Sequence, residues 1–341
     1  FIPACIESCI DSLDELVIVY NDCTDDSPNV IEAMRQKYPE KIKVYPYDHH
    51  IIALNLSKEE YEFAKSLPDD DPRLLCNYYN FALDKVHHKY AVKIDADQIY
   101  FSERMAEWCD FLRDEDEVGL SLPVVLGSLV SMSFKVNVRL NSYLNRIVRI
   151  IPSDMGRLTR KWYDSYVRYR VKKGNTCVML SGVNIFRSGD RWVVPMGLEH
   201  EVINIIPPFN GEGDHLFFKV GPDCRYVRYD FPGYSRVRSE KYTLIEWFCC
   251  PDTRLVGGFF WFHLNMMRPG LKERVERVIS ENPESVMDIG SFLNKDFYEL
   301  EKNIPSKLLS IRPRSKFQFI YPYGKKVLER FEYMLEEHFG F

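Results

Sequence analysis

The stretch Leu16-Val17-Ile18-Val19-Tyr20-Asn21-Asp22-Cys23-Thr24-Asp25-Asp26-Ser27 passes in one step from a continuous apolar run to a turn of small polar and acidic residues. An apolar run of this length without period-two alternation predicts a buried strand. Upstream of it, Ile2, Cys5, Ile6, Cys9 and Leu13 recur at helical spacing, and Pro3 suits a first helical turn. Downstream, Ser27 can cap and Pro28 can open a helix to about Tyr38, and Ile42 to Tyr47 reads as a second strand. After a segment from His49 to Asp71 that reads as an insertion, Leu75, Tyr78, Ala82 and Val86 form a helical stripe leading to an expected strand from Tyr90 to Ile94. This alternation predicts an α/β fold, a mostly parallel sheet flanked by helices, in which ligands bind beyond the carboxyl ends of the strands.

Beyond Ile94 the spacing predicts an amphipathic helix with Met105, Trp108, Cys109 and Leu112 on one face. The longest uncharged run, Val118 to Phe134, contains Pro123 and Gly127 and is only 17 residues long, so it reads as core strand plus loop and not as a membrane span. Core character returns at Cys177 to Leu180 and Gly182 to Phe186. After Pro269-Gly270 the chain reads as a helical extension, residues 269–341, ending with Val327, Phe331, Met334 and Leu335 on one face. The domain expectation is one α/β domain over 1–268, in halves 1–126 and 127–268, followed by that extension. Because the chain begins at Phe1, without a methionine and already inside a helix, an upstream piece is expected.

The 341 residues, 45% apolar and 28% charged, suit a soluble globular protein with a sizeable core. Forty-five Lys and Arg against fifty Asp and Glu leave a net charge of −5, which argues against nucleic acid as a partner. Locally the balance reverses, since residues 130–175 carry eleven Lys or Arg and two acids, Asp154 and Asp164, among Tyr143, Trp162, Tyr163, Tyr166 and Tyr169. A solvated basic face is the plain reading. Contact with a phosphate-bearing acceptor, or peripheral contact with anionic lipid at about 1 kcal/mol per cation, is the functional one. Nine cysteines without a CxxC pair predict reduced, mostly buried thiols and a cytoplasmic setting, at most at the inner face of a membrane.

Asp95-Ala96-Asp97 follows the expected strand at Tyr90 to Ile94. At the end of a strand, i and i+2 carboxylates share a side and make a half-site for Mg²⁺ or Mn²⁺, which take few protein oxygens and fill the rest with water or phosphate. A solvated turn is the alternative for the same residues. His263, alone in Phe259-Phe260-Trp261-Phe262-His263-Leu264-Asn265, reads by itself as a buried, hydrogen-bonded histidine.

Over roughly residues 1–265 the chain resembles the GT-A glycosyltransferases, most closely the inverting family 2 type. Four stretches carry the resemblance: Val17 to Ser27, Asn80-Phe81-Ala82-Leu83, Lys93-Ile94-Asp95-Ala96-Asp97 and Gly211-Glu212-Gly213-Asp214-His215. Asn21 or Tyr20 stands where that family commonly has an Asp, Ala82 replaces a Gly, and the family's first strand would precede Phe1.

The resemblance implies a GT-A (Rossmann-like) fold and a DxD metal site of Asp95 and Asp97 with His263 as a late third ligand, holding Mn²⁺ or Mg²⁺. It also implies nucleotide contacts from Tyr20, Asn21, Asp22, Asn80 and Asp95, and a general base at Asp214 with Glu212 as second choice. His215 and Trp261 are the acceptor candidates. The expected reaction is metal-dependent, inverting transfer of a hexosyl group from a nucleotide sugar, UDP-linked, to a hydroxyl of a glycan or lipid-linked acceptor in bacterial surface polysaccharide synthesis. The competing reading is a catalytically silent GT-A-like domain that binds nucleotide or glycan within a larger polymerase.

Overall fold

The computed structural model describes residues 1–114, 118–144, 157–174, 176–196, 208–210, 216–229, 242–249 and 253–294. The first elements are α1 (Ile2–Cys9), β1 (Leu16–Tyr20), α2 (Ser27–Lys37), β2 (Ile42–Pro46), α3 (Lys58–Ser66), α4 (Leu75–Leu83), β3 (Tyr90–Val92) and β4 (Gln98–Tyr100). Three helices follow, α5 (Ser102–Arg113), α6 (Leu122–Leu144) and α7 (Arg157–Lys172). Then come β5 (Thr176–Asn184), β6 (Phe186–Ser188), β7 (Arg191–Pro195), β8 (Phe209–Asn210), β9 (Leu216–Lys219), β10 (Arg225–Tyr229), β11 (Ile245–Cys249) and β12 (Thr253–His263). The last described elements are α8 (Lys272–Glu281), β13 (Val286–Asp288) and α9 (Ile289–Asn294).

The chain divides into two compact units, one of residues 1–12, 92–218 and 254–341, the other of residues 13–91 and 219–253. In the second unit β1 and β2 pair in parallel, Leu16 opposite Ile42 through Tyr20 opposite Pro46, as the apolar runs predicted. Helix α2 begins at Ser27, but its cap residue is Asp26, and the Ser27 N–H is taken by the Asp25 carboxylate at 3.0 Å. Strands β10 and β11 form an antiparallel ribbon against α4. Asn80 on α4 clamps that ribbon, donating to the Tyr226 carbonyl at 2.9 Å and accepting from the Tyr226 N–H at 2.7 Å. The insertion at 49–71 contains α3, closed by a capping box between Ser57 and Glu60.

The first unit holds a sheet ordered β9-β5-β12-β4, with β8 on β5. In it β12 with β4, β5 with β8 and β5 with β9 are antiparallel, whereas the β1–β2 pair is parallel, so a mostly parallel sheet is not what these strands form. The protein is a mixed α/β structure. At the centre Phe259, Phe260, Trp261 and Phe262 of β12 have no exposed surface. Phe260 meets Trp108 of α5 and Phe217 of β9, Phe262 meets Phe101, and Phe259 meets Phe209, which in turn meets Phe292 of α9. Thus the described part of the expected C-terminal extension completes this core through Val275, Val278, Phe292 and Leu293. It is also not wholly helical, since β13 pairs antiparallel with β7. Val327 to Leu335 lie outside the described residues.

Two expectations fail for identifiable reasons. The uncharged run from Val118 is not a strand: α6 starts at Leu122, with Pro123 in a first turn where a missing N–H costs nothing, and Gly127 serves a close crossing with α7. Cys177 is disulfide-bonded, so reduced thiols are found at the other described cysteines and not at this one. No described helix is long and apolar enough to cross a membrane.

The tightest test of this core is Gly182 in β5. A Cβ there would lie 1.9 Å from Trp261 Nε1, and the indole is fully buried and already donates to Asn210 Oδ1 at 2.8 Å. Gly182→Ala is expected to lower unfolding free energy by about 1–3 kcal/mol or more in urea titration. Gly119→Ala, where a Cβ meets nothing within 4 Å, serves as control.

Candidate functional site

Strand β3 stops at Val92, and residues 93–97 run through an irregular segment and turn before β4. The period-two argument for Asp95 and Asp97 therefore does not apply, and the two carboxylates diverge in environment. Asp95 is partly exposed, with Lys93 Nζ at 3.5 Å, while the Asp97 side chain is 5% exposed.

Two side chains meet Asp97. Arg268 donates to its Oδ2 at 2.7 Å, and His263 Nε2 lies 3.3 Å from the same oxygen. The other ring nitrogen of His263 contacts Asn184 Oδ1 at 2.8 Å. Against an amide oxygen Nδ1 must be the donor, which orients the ring and turns Nε2 toward the carboxylate. Burial opposes the charge on Asp97, and Asp95 adds to that opposition; the hydrogen bond and charge of His263 with the charge of Arg268 outweigh both, holding the carboxyl below its ordinary range.

Main-chain hydrogen bonds lock the elements that bring these side chains together. Leu264 N–H donates to Asp97 O at 2.8 Å and Ile185 N–H to His263 O at 3.1 Å, so β12, β5 and the Asp95–Asp97 turn are tied at one end. Helix α1 braces the turn from another side. Its Cys5 Sγ donates to the Asp95 carbonyl at 3.3 Å, and its Ser8 hydroxyl accepts from the Tyr100 N–H at 2.9 Å. Arg268, Asn184, Cys5 and Ser8 were missed by sequence reasoning. Arg268 falls in a turn just before Pro269-Gly270, and nothing local marks it as a partner for a residue 171 positions away.

A divalent ion can be tested against this donor set. Two ligands at about 2.1 Å from an ion and at right angles stand about 3 Å apart, so the 3.3 Å edge between Asp97 Oδ2 and His263 Nε2 fits two positions of such a site. Asp97 and His263 thus suit the ion, but no cluster of three or more His, Cys, Asp or Glu suited to one occurs among the described residues. The guanidinium on Asp97 competes for the same oxygen.

The remaining candidates separate. Tyr20 ends β1 in the second unit and Asn21 and Asp22 follow it, Asp22 with a positive φ of 47° and its carboxylate 2.6 Å from His50 Nδ1. Asp and Asn tolerate that backbone region better than most residues. The amide of Asn80, as above, is engaged at both ends by Tyr226. Trp261, expected at an acceptor, is a core residue with no exposed ring face, because it fills the space left by Gly182. Glu212, Asp214 and His215 lie outside the described residues.

Residues 1–118 match the family model of a β-1,4-N-acetylgalactosaminyltransferase, CgtA. No curated protein and no solved structure matches the chain. The matched segment includes Tyr20 to Asp22, Asn80, Asp95 and Asp97, and ends before Glu212, Asp214 and His263. CgtA is a glycosyltransferase family, and this similarity supports an enzyme of the transferase class, which takes a nucleotide-sugar donor and an acceptor.

The bracing of the Asp95 turn by α1 makes a chemical prediction. Burial, with the nearby charges of Asp95 and Asp97, pushes the Cys5 thiol up to about 12. At pH 8 the thiolate fraction is then on the order of 10⁻⁴. In a short iodoacetamide pulse on the native chain, Cys5 should remain unmodified while the exposed Cys23 is labelled first, read by peptide mass spectrometry. Equal labelling would contradict the packing of α1 on the turn.

Proposed function

We propose that the protein is a GT-A-type, inverting glycosyltransferase that moves a hexosyl group, N-acetylgalactosamine being the first candidate, from a UDP-linked donor to a hydroxyl of a glycan or lipid-linked glycan. The observation that carries the reading is the 3.3 Å approach of His263 Nε2 to the buried Asp97, whose own segment lies inside the family match. Bacterial surface polysaccharide is the expected product class.

On this reading Asp97 and His263 would hold a divalent ion, Mn²⁺ suiting the imidazole better than Mg²⁺, with Asp95 beside them. When bound, the ion supplies Lewis acidity that neutralises charge on a departing nucleoside diphosphate. Asn184 fixes the His263 ring so that a nitrogen and an oxygen ligand face the same point. Arg268, 58% exposed at its side chain, can turn from Asp97 to diphosphate oxygens once that carboxylate has another cationic partner.

Transfer itself needs one proton acceptor. Asp214, with Glu212 second, takes the proton of the acceptor hydroxyl as its oxygen bonds to the anomeric carbon and the bond from that carbon to the diphosphate breaks. A single displacement of this kind inverts the configuration.

A second reading has its own observation. Arg268 already supplies a positive partner to Asp97 at 2.7 Å, which is compatible with transfer in which leaving-group charge is met by the guanidinium without an ion. The two separate cleanly. On the metal reading, nucleoside diphosphate release in the presence of an acceptor stops with chelator and returns with Mn²⁺, and Asp97→Ala loses both transfer and metal-dependent binding of nucleoside diphosphate. Full turnover in chelator, lost on Arg268→Ala, would establish the metal-free version instead. The base has its own test: Asp214→Asn should lower kcat by about 10²- to 10⁴-fold with donor affinity nearly unchanged. If Glu212→Gln has that effect and Asp214→Asn does not, the base is Glu212.

A further inference from the structure

Helix α6 carries two faces. Val124, Gly127 and Ser131 are buried, and Gly127 crosses α7 so closely that a Cβ would stand 2.0 Å from the Trp162 carbonyl oxygen and 2.7 Å from Tyr166 Cβ. The exposed side chains described on the helix are Leu122, Pro123, Val125, Leu129, Met132 and Val136, and every one is apolar. At about 100° per residue, the mean direction of the five large ones lies about 150° from that of the buried set. They therefore form a stripe facing away from α7, at the alternating three- and four-residue spacing of a helix seam.

Scattered exposed hydrophobics are ordinary, but a contiguous stripe is not. Of the ten large hydrophobic residues exposed among the described residues, seven fall between 120 and 158. Met132 and Leu129 are each more than half exposed, with Leu158 of α7 similarly open. The helix has no charge before Lys135.

Charge decides what covers this face. Helices α6 and α7 together hold eight Lys or Arg and one acid, Asp164, so basic residues accompany the stripe in an otherwise acidic protein. A two-fold contact through α6 would bring two such regions together, and like charges oppose that arrangement. An anionic bilayer surface attracts the same cations and accepts the apolar stripe. Helix α7 adds the half-buried Trp162, Tyr166 and Tyr169, rings that suit a boundary between apolar and wet phases. Since no described helix is long and apolar enough to span, α6 would lie in the interface plane.

We propose that the exposed face of α6 is a membrane-docking surface, laid into the interface of an anionic lipid bilayer and held there by the neighbouring basic segment. The inference goes beyond the transfer reading and does not depend on it, because its readout is binding to lipid.

The test is flotation of the full chain with phosphatidylcholine vesicles with and without phosphatidylglycerol. The wild type is expected to float with the anionic vesicles and to be released in part by high salt. Leu129→Glu combined with Met132→Glu should weaken that binding by about tenfold or more while the far-ultraviolet circular dichroism is kept. Nucleoside diphosphate release on a soluble acceptor should persist, so failure of docking and failure of the transfer reading are told apart. As a second measurement, Met132→Trp should place an indole whose fluorescence is quenched by brominated anionic lipid. Undiminished binding of the double variant, absence of quenching, or equal binding to neutral vesicles overturns the proposal. So does a dimer in sedimentation that the double variant dissolves, which would make a second copy the occupant.

Discussion

Strand β12 must be buried on both faces, and most of the first unit follows from that requirement. Four consecutive aromatic side chains, Phe259 to Phe262, cannot alternate between core and water, so the strand needs a neighbour on each edge and cover on each side. Strands β5 and β4 supply the edges. Cover comes from Trp108 of α5, from Phe101, and through Phe209 from Phe292 of α9. Gly182 and Gly257 are consequences of the same crowding. Trp261 fills the space over the first, and a Cβ at the second would stand 2.5 Å from Val178.

That packing also sets the chemistry at the end of the strand. His263 is the first residue after the aromatic run that is not wholly buried, and it emerges beside Asp97 because β12 pairs with β4 from Trp261 opposite Tyr100 to His263 opposite Gln98. A carboxylate 5% exposed is costly unless it has charge or hydrogen-bond partners. Here Asp97 has a histidine fixed by Asn184 and an arginine reaching in from the turn after the strand. The end of β12 and the turn after it thus converge on a single anionic oxygen, with β5 orienting the histidine.

Much of the second unit was legible in sequence because its signals are local. The run Leu16 to Tyr20 and the Pro28 helix start needed only periodicity and turn chemistry; β1 begins where that signal puts it, and α2 one residue earlier. The larger sheet was not legible in the same way. Apolar runs such as Thr176 to Asn184 and Thr253 to His263 report burial on both faces, but an antiparallel strand at the centre of a covered sheet reads the same as a parallel one. Helix α6 was misread because Pro123 and Gly127 are breakers in the interior of an isolated pattern. In the fold, one lies in the first turn and the other at a helix crossing. At the site, Asp97 and His263 could be picked out by residue type. Arg268 and Asn184 could not, since each matters only through a contact 171 or 79 positions away.

The pairing of a buried carboxylate with an exposed guanidinium has a directional consequence. Asp97 cannot leave its place without stranding the backbone hydrogen bond from Leu264 and the contact with His263, whereas Arg268 is solvated over most of its side chain and loses little by rotating away. On the proposed reading, a cation competing for Oδ2 would therefore displace the arginine and not the aspartate. The displaced guanidinium then has five donors and a positive charge available close to that cation. A diphosphate is the kind of ligand able to use both at once, since it offers oxygens to an ion and a bidentate face to arginine. On the proposed reading, the end of β12 would suit a ligand carrying several negative oxygens better than a neutral sugar alone, because Asp97 is anchored and Arg268 is the side chain that can turn.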